Sequence, residues 1–83
     1  MSLTLYLKPE CHLCEEVLAE LGRLRGRYPH ALRTVDITQQ AELMARYAER
    51  IPVLVVGGRE YAAPLDRRVL EQALRAAQQE QVR

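Results

Sequence analysis

The pair Cys11-His12-Leu13-Cys14 lies where one hydrophobic pattern ends and another begins, and that junction constrains the chain more than any other feature. Before it, Leu3, Leu5, Tyr6 and Leu7 form a short apolar segment that predicts a buried strand over 3–7. Lys8-Pro9-Glu10 breaks that segment, because proline offers no N–H to a ladder and restricts the residue ahead of it. After the pair, apolar side chains return at Cys14, Val17, Leu18 and Leu21, the i, i+3, i+4, i+7 spacing of an amphipathic helix. Glu15, Glu16 and Glu20 fall on the other side of that helix and favour its first turns electrostatically. The helix is predicted to run to about Arg25, with Gly26 as its stop.

The rest of the chain supplies the partners that a strand and a helix of this kind need. Tyr28-Pro29-His30 reads as a connector, with His30 in a surface turn, and Ala31 to Ile37 as a second strand. Thr38 is the expected N-cap of a helix over 39–48, with Leu43, Met44, Tyr47 and Ala48 on one face. Val53-Leu54-Val55-Val56 is a β-branched run suited to a central strand. Gly57-Gly58 then makes a two-residue hairpin turn into Arg59-Glu60-Tyr61-Ala62, since both glycines tolerate positive φ. Asp66 is placed to cap a last helix whose stripe is Val69, Leu70, Ala73, Leu74 and Ala77, and Gln78 to Arg83 reads as a polar, fraying tail. The element order is β-α-β-α-β-β-α: a parallel βαβ unit, a hairpin and a closing helix.

Composition narrows the class. Eighty-three residues fit one domain over 1–83, and 48% apolar with 28% charged residues excludes disorder. Apolar runs such as Val53 to Val56 are too short to span a bilayer, and the amino terminus lacks the pattern of a signal peptide, so a cytoplasmic protein is expected. Twelve basic against eleven acidic residues give a formal charge of +1. The arginines at 23, 25 and 27 form a short basic stretch, but acids precede it and no aromatic residues are interleaved, so no nucleic-acid partner is expected. Two cysteines only three positions apart are not a scattered disulfide framework. A structural zinc site would have to draw on Cys11, Cys14, His12 and His30, and His12 lies between the thiols where it cannot readily complete a tetrahedron. No metal site is expected.

A cysteine pair at the start of a helix is a redox device before it is anything else. The free N–H groups of the first turn and the helix dipole stabilise a thiolate there, so the Cys11 pKa should fall below the ordinary value of about 8.5. Lys8 adds a cation three residues earlier. Glu10, Glu15 and Glu16 oppose it, which argues against a strongly oxidising pair. Cys14, one turn on, is close enough to attack a mixed disulfide on Cys11. Pro52 precedes a strong strand and is read either as a trans proline opening it or as a cis proline that turns the backbone of Ile51 toward an extended substrate.

The stretch Tyr6-Leu7-Lys8-Pro9-Glu10-Cys11-His12-Leu13-Cys14, with Asp36 and Ile51-Pro52-Val53, resembles the thioredoxin superfamily, and within it the glutaredoxins. The variant Cys-His-Leu-Cys followed by Glu15-Glu16 is similar to a bacterial group of small glutaredoxin-like proteins. The resemblance implies an α/β thioredoxin fold over essentially the whole chain, a four-stranded mixed sheet with helices on both faces. It implies a thiol-disulfide oxidoreductase with Cys11 as nucleophile and Cys14 as resolving thiol. It also implies that Lys8, His12 and Leu13 lie at the substrate site, that Pro52 is cis beside the disulfide and that Ile51 pairs with substrate through its backbone. Glutathione is the co-substrate such a resemblance brings with it. Against that, His12-Leu13 replaces the usual Pro-Tyr, and Ala62-Ala63-Pro64-Leu65-Asp66 replaces a Gly-Gly-x-Asp stretch whose helix start grips a glutathione carboxylate. No tightly bound cofactor is expected; the expected partner is a protein disulfide or a small thiol, and the chain is expected to be a monomer without membrane attachment. Two other readings stay open: a thioredoxin-fold binding or carrier module whose cysteine pair is non-catalytic or regulatory, and iron–sulfur carriage by a dimer in which each subunit lends Cys11.

Overall fold

Leu3, Leu5 and Leu54 have essentially no exposed surface, and they mark the middle of the sheet around which the other elements pack. The computed structural model of the chain describes residues 1–81. Strand β1 (Ser2–Leu7) leads to helix α1 (His12–Leu24) and strand β2 (Ala31–Asp36). A turn of 3₁₀ helix (Ile37–Gln39) and helix α2 (Ala41–Tyr47) follow, then strands β3 (Val53–Val56) and β4 (Arg59–Ala62) and helix α3 (Arg67–Gln81). The sheet order is β2-β1-β3-β4. β1 and β2 run parallel, with Leu7 beside Asp36, while β1 and β4 each pair antiparallel with β3. The sheet is therefore mixed, as the sequence led us to expect.

Alternation along the strands sends side chains to two cores. On one face Leu3, Leu5, Leu54 and Val56 pack against Val17, Leu21 and Leu24 of α1 and Leu70, Ala73, Leu74 and Ala77 of α3. On the other face Val53 and Tyr6 meet Ile37, Leu43 and Tyr47, so α2 covers that side. Tyr47 is the anchor there. Its ring stacks on Tyr6 with centroids 4.6 Å apart, and its hydroxyl donates to Glu60 Oε2 at 2.6 Å, which raises the phenol pKa. The Gly57-Gly58 turn has φ of +59° and +74°, the positive values that a tight two-residue hairpin of this type requires.

Four expectations need correction. Thr38 does not cap α2: its N–H and its hydroxyl both go to Asp36 Oδ1, at 2.9 and 2.7 Å, and this turns 37–39 into a 3₁₀ turn. α2 starts only after Gln40, which makes no side-chain cap bond. Gly26 does not stop α1, which ends at Leu24 with Arg25 still right-handed; Arg27 and Tyr28 N–H close onto the Leu24 carbonyl at 3.2 and 2.8 Å instead. His30 is buried rather than in a surface turn, with Nδ1 2.7 Å from the Tyr28 carbonyl oxygen. The supposed fraying tail is helical as far as Gln81, held by buried Ala77 and by an Arg59–Glu80 ion pair at 3.0 Å; the last two residues of that tail lie outside the described residues. The basic stretch is spent internally. Arg23 pairs with Glu20, Arg25 Nε donates to the His30 carbonyl, and Arg27 pairs with Glu71.

Candidate active site

β1 delivers the chain to α1 through a sharp turn at Pro9-Glu10, where Glu10 takes φ +58°. That left-handed conformation costs a residue with a Cβ about 1 kcal/mol, and it aims the next residue into the N-cap position. The next residue is Cys11. Its backbone is extended (φ −105°, ψ 103°), and its sulfur accepts the Cys14 N–H at 3.2 Å. Its carbonyl takes the N–H of Glu15 at 3.1 Å, the first backbone bond at the helix start. Cys11 is thus a helix cap made of sulfur, in the field of the unpaired amides and the helix dipole.

Cys11 and Cys14 are joined by a disulfide, with Cα atoms 5.2 Å apart, well inside the range that a bridge requires. The two sulfurs differ in access. Cys14 is 2% exposed, whereas Cys11 is only partly buried, so an external partner reaches Cys11 first.

The neighbours expected from the sequence divide into those at the pair and those elsewhere. His12 is exposed, and its Nε2 lies 3.0 Å from Glu16 Oε2, one turn along α1. Leu13 stands out as a large apolar side chain that is 57% exposed. Lys8 is exposed and forms no ion pair among the described residues. The Ile51–Pro52 bond is cis. Pro52 is buried, so it shapes the site from beneath rather than offering surface of its own. The Ile51 N–H donates to the Tyr47 carbonyl at 3.1 Å. Tyr47, pinned by Tyr6 and Glu60, brings the end of α2 over that N–H, which leaves the expected pairing with an extended substrate to the Ile51 carbonyl.

Residues 63–66, in the segment that the resemblance marked for its missing glycines, form the wall that faces Leu13. A groove of about 180 Å³ runs between Leu13, Glu16 and Val17 of α1 and the β4–α3 segment Ala63-Pro64-Leu65-Asp66, with Pro52 beneath. Ala63–Pro64 is a second cis bond, and Leu65 is buried. The Ala63 N–H donates to the Arg50 carbonyl at 3.4 Å, Pro64 has no N–H, and Asp66 Oδ1 takes the N–H of Val69 at 2.9 Å. The signal was in the sequence as a proline and a leucine ahead of the Asp66 cap, but periodicity cannot show that they face Leu13. Among the described residues no cluster of three or more His, Cys, Asp or Glu side chains could hold a metal ion. No helix among them is long and apolar enough to cross a membrane.

A family model described as glutaredoxin-like domain (DUF836) matches residues 2–82. The X-ray structure of Northeast Structural Genomics target protein XcR50 from X. campestris is 38% identical, with a TM-score of 0.79 over 90% of this chain and 97% of that one. The solution structure of the same target gives 38% identity and a TM-score of 0.77, covering 93% and 96%. A structure titled as that of a malarial protein, 14% identical, shares the fold with a TM-score of 0.65 over 92% of this chain and 94% of that one. No curated protein matches the sequence.

Proposed function

The chain belongs to the glutaredoxin-like domain family and has a thioredoxin-like fold with a CxxC pair, and from that footing we propose that it is a thiol-disulfide oxidoreductase acting through Cys11 and Cys14. The observation that carries this is the unequal placement of the two sulfurs. Cys11 caps the helix at a partly exposed position, and Cys14 lies buried one turn behind it.

In the reduced form the Cys11 thiolate attacks one sulfur of a substrate disulfide. A bond forms between Cys11 and that sulfur, and the other substrate sulfur leaves as a thiolate that takes a proton from water. Cys14 then gives up its proton and attacks Cys11 Sγ, which releases the second substrate thiol and closes the Cys11–Cys14 disulfide. Two electrons pass from the pair to the substrate, and a dithiol, or two monothiols in succession, must return them. Helix amides and dipole favour the attacking thiolate, while the carboxylates of Glu10, Glu15 and Glu16 oppose it. Lys8, a few residues before Cys11, adds a screened positive charge. The reading is of a monomer that acts on protein disulfides.

The test is a redox titration of the whole chain against a glutathione series, counting free thiols by mass after alkylation. The expected result is one two-electron transition at roughly −200 to −280 mV. A pair that stays reduced and unmodified across the series would overturn the proposal and favour a binding module.

A further inference from the structure

The groove beside the disulfide is lined unevenly. Leu13, Val17, Ala63, Pro64 and Leu65 make its walls apolar, and the charged side chains among its lining residues are two carboxylates, Glu16 and Asp66. Beyond them the surface continues over Glu20, Arg23 and Arg67, where Arg23 lies 3.3 Å and Arg67 4.0 Å from Glu20. Both arginines are turned to Glu20, and Glu16 and Asp66, which also line that surface, form no ion pair with an arginine among the described residues. Glu16 has the His12 imidazole beside it, and Asp66 has a backbone N–H.

We infer that this groove receives an apolar side chain of a protein substrate whose adjoining residue is lysine or arginine, so that the domain reduces disulfides in cationic polypeptide segments in preference to glutathione. The inference rests on the dithiol–disulfide reading of Cys11 and Cys14. Its apolar half follows from the walls, which offer room for one large aliphatic or aromatic side chain next to Leu13, the residue between the cysteines. Its charged half follows from complementarity: a cation near Glu16 and Asp66 is attracted, and an acid is repelled. Glutathione meets the opposite conditions. Its carboxylates need N–H donors or cations, yet the Ala63 N–H goes to the Arg50 carbonyl, Pro64 has none, the Asp66 carboxylate occupies the Val69 N–H at the start of α3, and the adjoining Arg23 and Arg67 are turned to Glu20.

The experiment uses the full chain and three probes. Hydroxyethyl disulfide, small and neutral, reads the chemistry alone. Mixed disulfides of thionitrobenzoate with Leu-Cys-Lys, Leu-Cys-Glu and Ser-Cys-Lys peptides, and with glutathione, read the groove. In each, Cys11 forms a bond to the peptide or glutathione sulfur and expels the coloured thionitrobenzoate, and Cys14 then releases that thiol and forms the disulfide. The same peptides with serine for cysteine, titrated onto the oxidised chain, report binding through NMR amide shifts.

At low salt the lysine peptide should react about fivefold faster than its glutamate counterpart, and this gap should shrink as salt is added. The Ser-Cys-Lys peptide should be slower than Leu-Cys-Lys, and glutathione slower still. Amide shifts should centre on Leu13, Val17 and Leu65. The double variant Glu16→Gln, Asp66→Ser, which keeps a capping oxygen on α3, should close the gap between the lysine and glutamate peptides. Equal rates for the two peptides, or glutathione reacting fastest, overturns the inference, as do shifts that track protein concentration because a second copy fills the groove. A chain that reduces hydroxyethyl disulfide but treats all the peptides alike loses the groove and keeps the redox reading. One that fails on hydroxyethyl disulfide yet binds the Leu-Ser-Lys peptide at the groove keeps the groove and loses the redox reading.

Discussion

Two helix starts face each other across the groove, and different atoms cap them. α1 begins at Cys11, whose sulfur accepts the N–H three residues on at 3.2 Å; α3 begins at Asp66, whose carboxylate oxygen accepts the N–H three residues on at 2.9 Å. The geometry is the same and the chemistry is not. Sulfur is a weak acceptor, so α1 gives up part of the stability that a carboxylate cap provides. Under the proposed function it gains a nucleophile, held where helix amides favour a thiolate. α3 keeps the stronger cap, and the charge of that carboxylate repels an incoming carboxylate. On the proposed function one start serves exchange, while the other holds the wall.

Removing the sulfur cap tests this contrast most severely. Cys11→Ser should bring hydroxyethyl disulfide reduction down to background, because a hydroxyl cannot enter the exchange. Far-UV circular dichroism should stay unchanged, because serine is itself a good N-cap. Cys14→Ser should react once and stop, which mass spectrometry would see as an adduct on Cys11. A Cys11→Ser protein that unfolds would mean that the sulfur position is structural after all.

The second test strikes the other start. Asp66→Ala should cost about 1 kcal/mol in urea unfolding, a fall in Tm of roughly 4–8 °C for a domain of this size, and Asp66→Asn should recover most of it. If Asp66→Ala melts like the parent, packing of Leu65 and Leu70 holds α3 and the cap contributes nothing.

What could be read from the sequence follows the range of the interactions. β3, the glycine turn and β4 lie where the residue pattern puts them, because a β-branched run and two adjacent glycines carry their own instructions. Asp66 caps α3 for the same local reason. The failures sit where a distant or competing partner decides. Thr38 has the right side chain for a cap, but Asp36 is nearer to its N–H; His30 follows a proline in a polar stretch, yet Tyr28 draws the connector into the core. The cysteine pair was legible because strand, turn and helix are contiguous there. The groove was not, since Leu13, Pro52 and Leu65 come from three segments that only the folded sheet brings together.

A smaller effect separates backbone from charge at the sulfur-capped end. Glu10 bears a left-handed backbone and a carboxylate next to Cys11. Glu10→Gly relieves the first and removes the second. Its gain in stability should be at most about 0.5 kcal/mol, since glycine also loosens the unfolded chain. The pH midpoint for alkylation of Cys11 in the reduced protein should move down, because a like charge has gone. Glu10→Ala should lower the midpoint equally while gaining no stability, as alanine retains the cost of positive φ. If glycine and alanine behave alike in unfolding, the turn is not strained.

The smallest effect concerns the cap of the 3₁₀ turn, Asp36, which sits beside Leu7 at the end of β1 from which the chain departs toward the cysteines. The hydroxyl and the N–H of Thr38 both donate to its carboxylate and hold its pKa below the ordinary value. The folded chain therefore takes up this proton less readily than the unfolded one. The stability it contributes is present above the unfolded value of about 3.9 and disappears as pH falls through the lower folded value. Asp36→Asn keeps an oxygen acceptor and cannot titrate, so its urea midpoint should vary less than that of the parent between about pH 4 and pH 2. The carboxylate is accessible to solvent, so the difference should shrink as salt rises. Parallel curves for the two proteins would show that Thr38 holds the turn without help from the charge. In that case a neutral polar side chain one residue before the turn suffices to cap it.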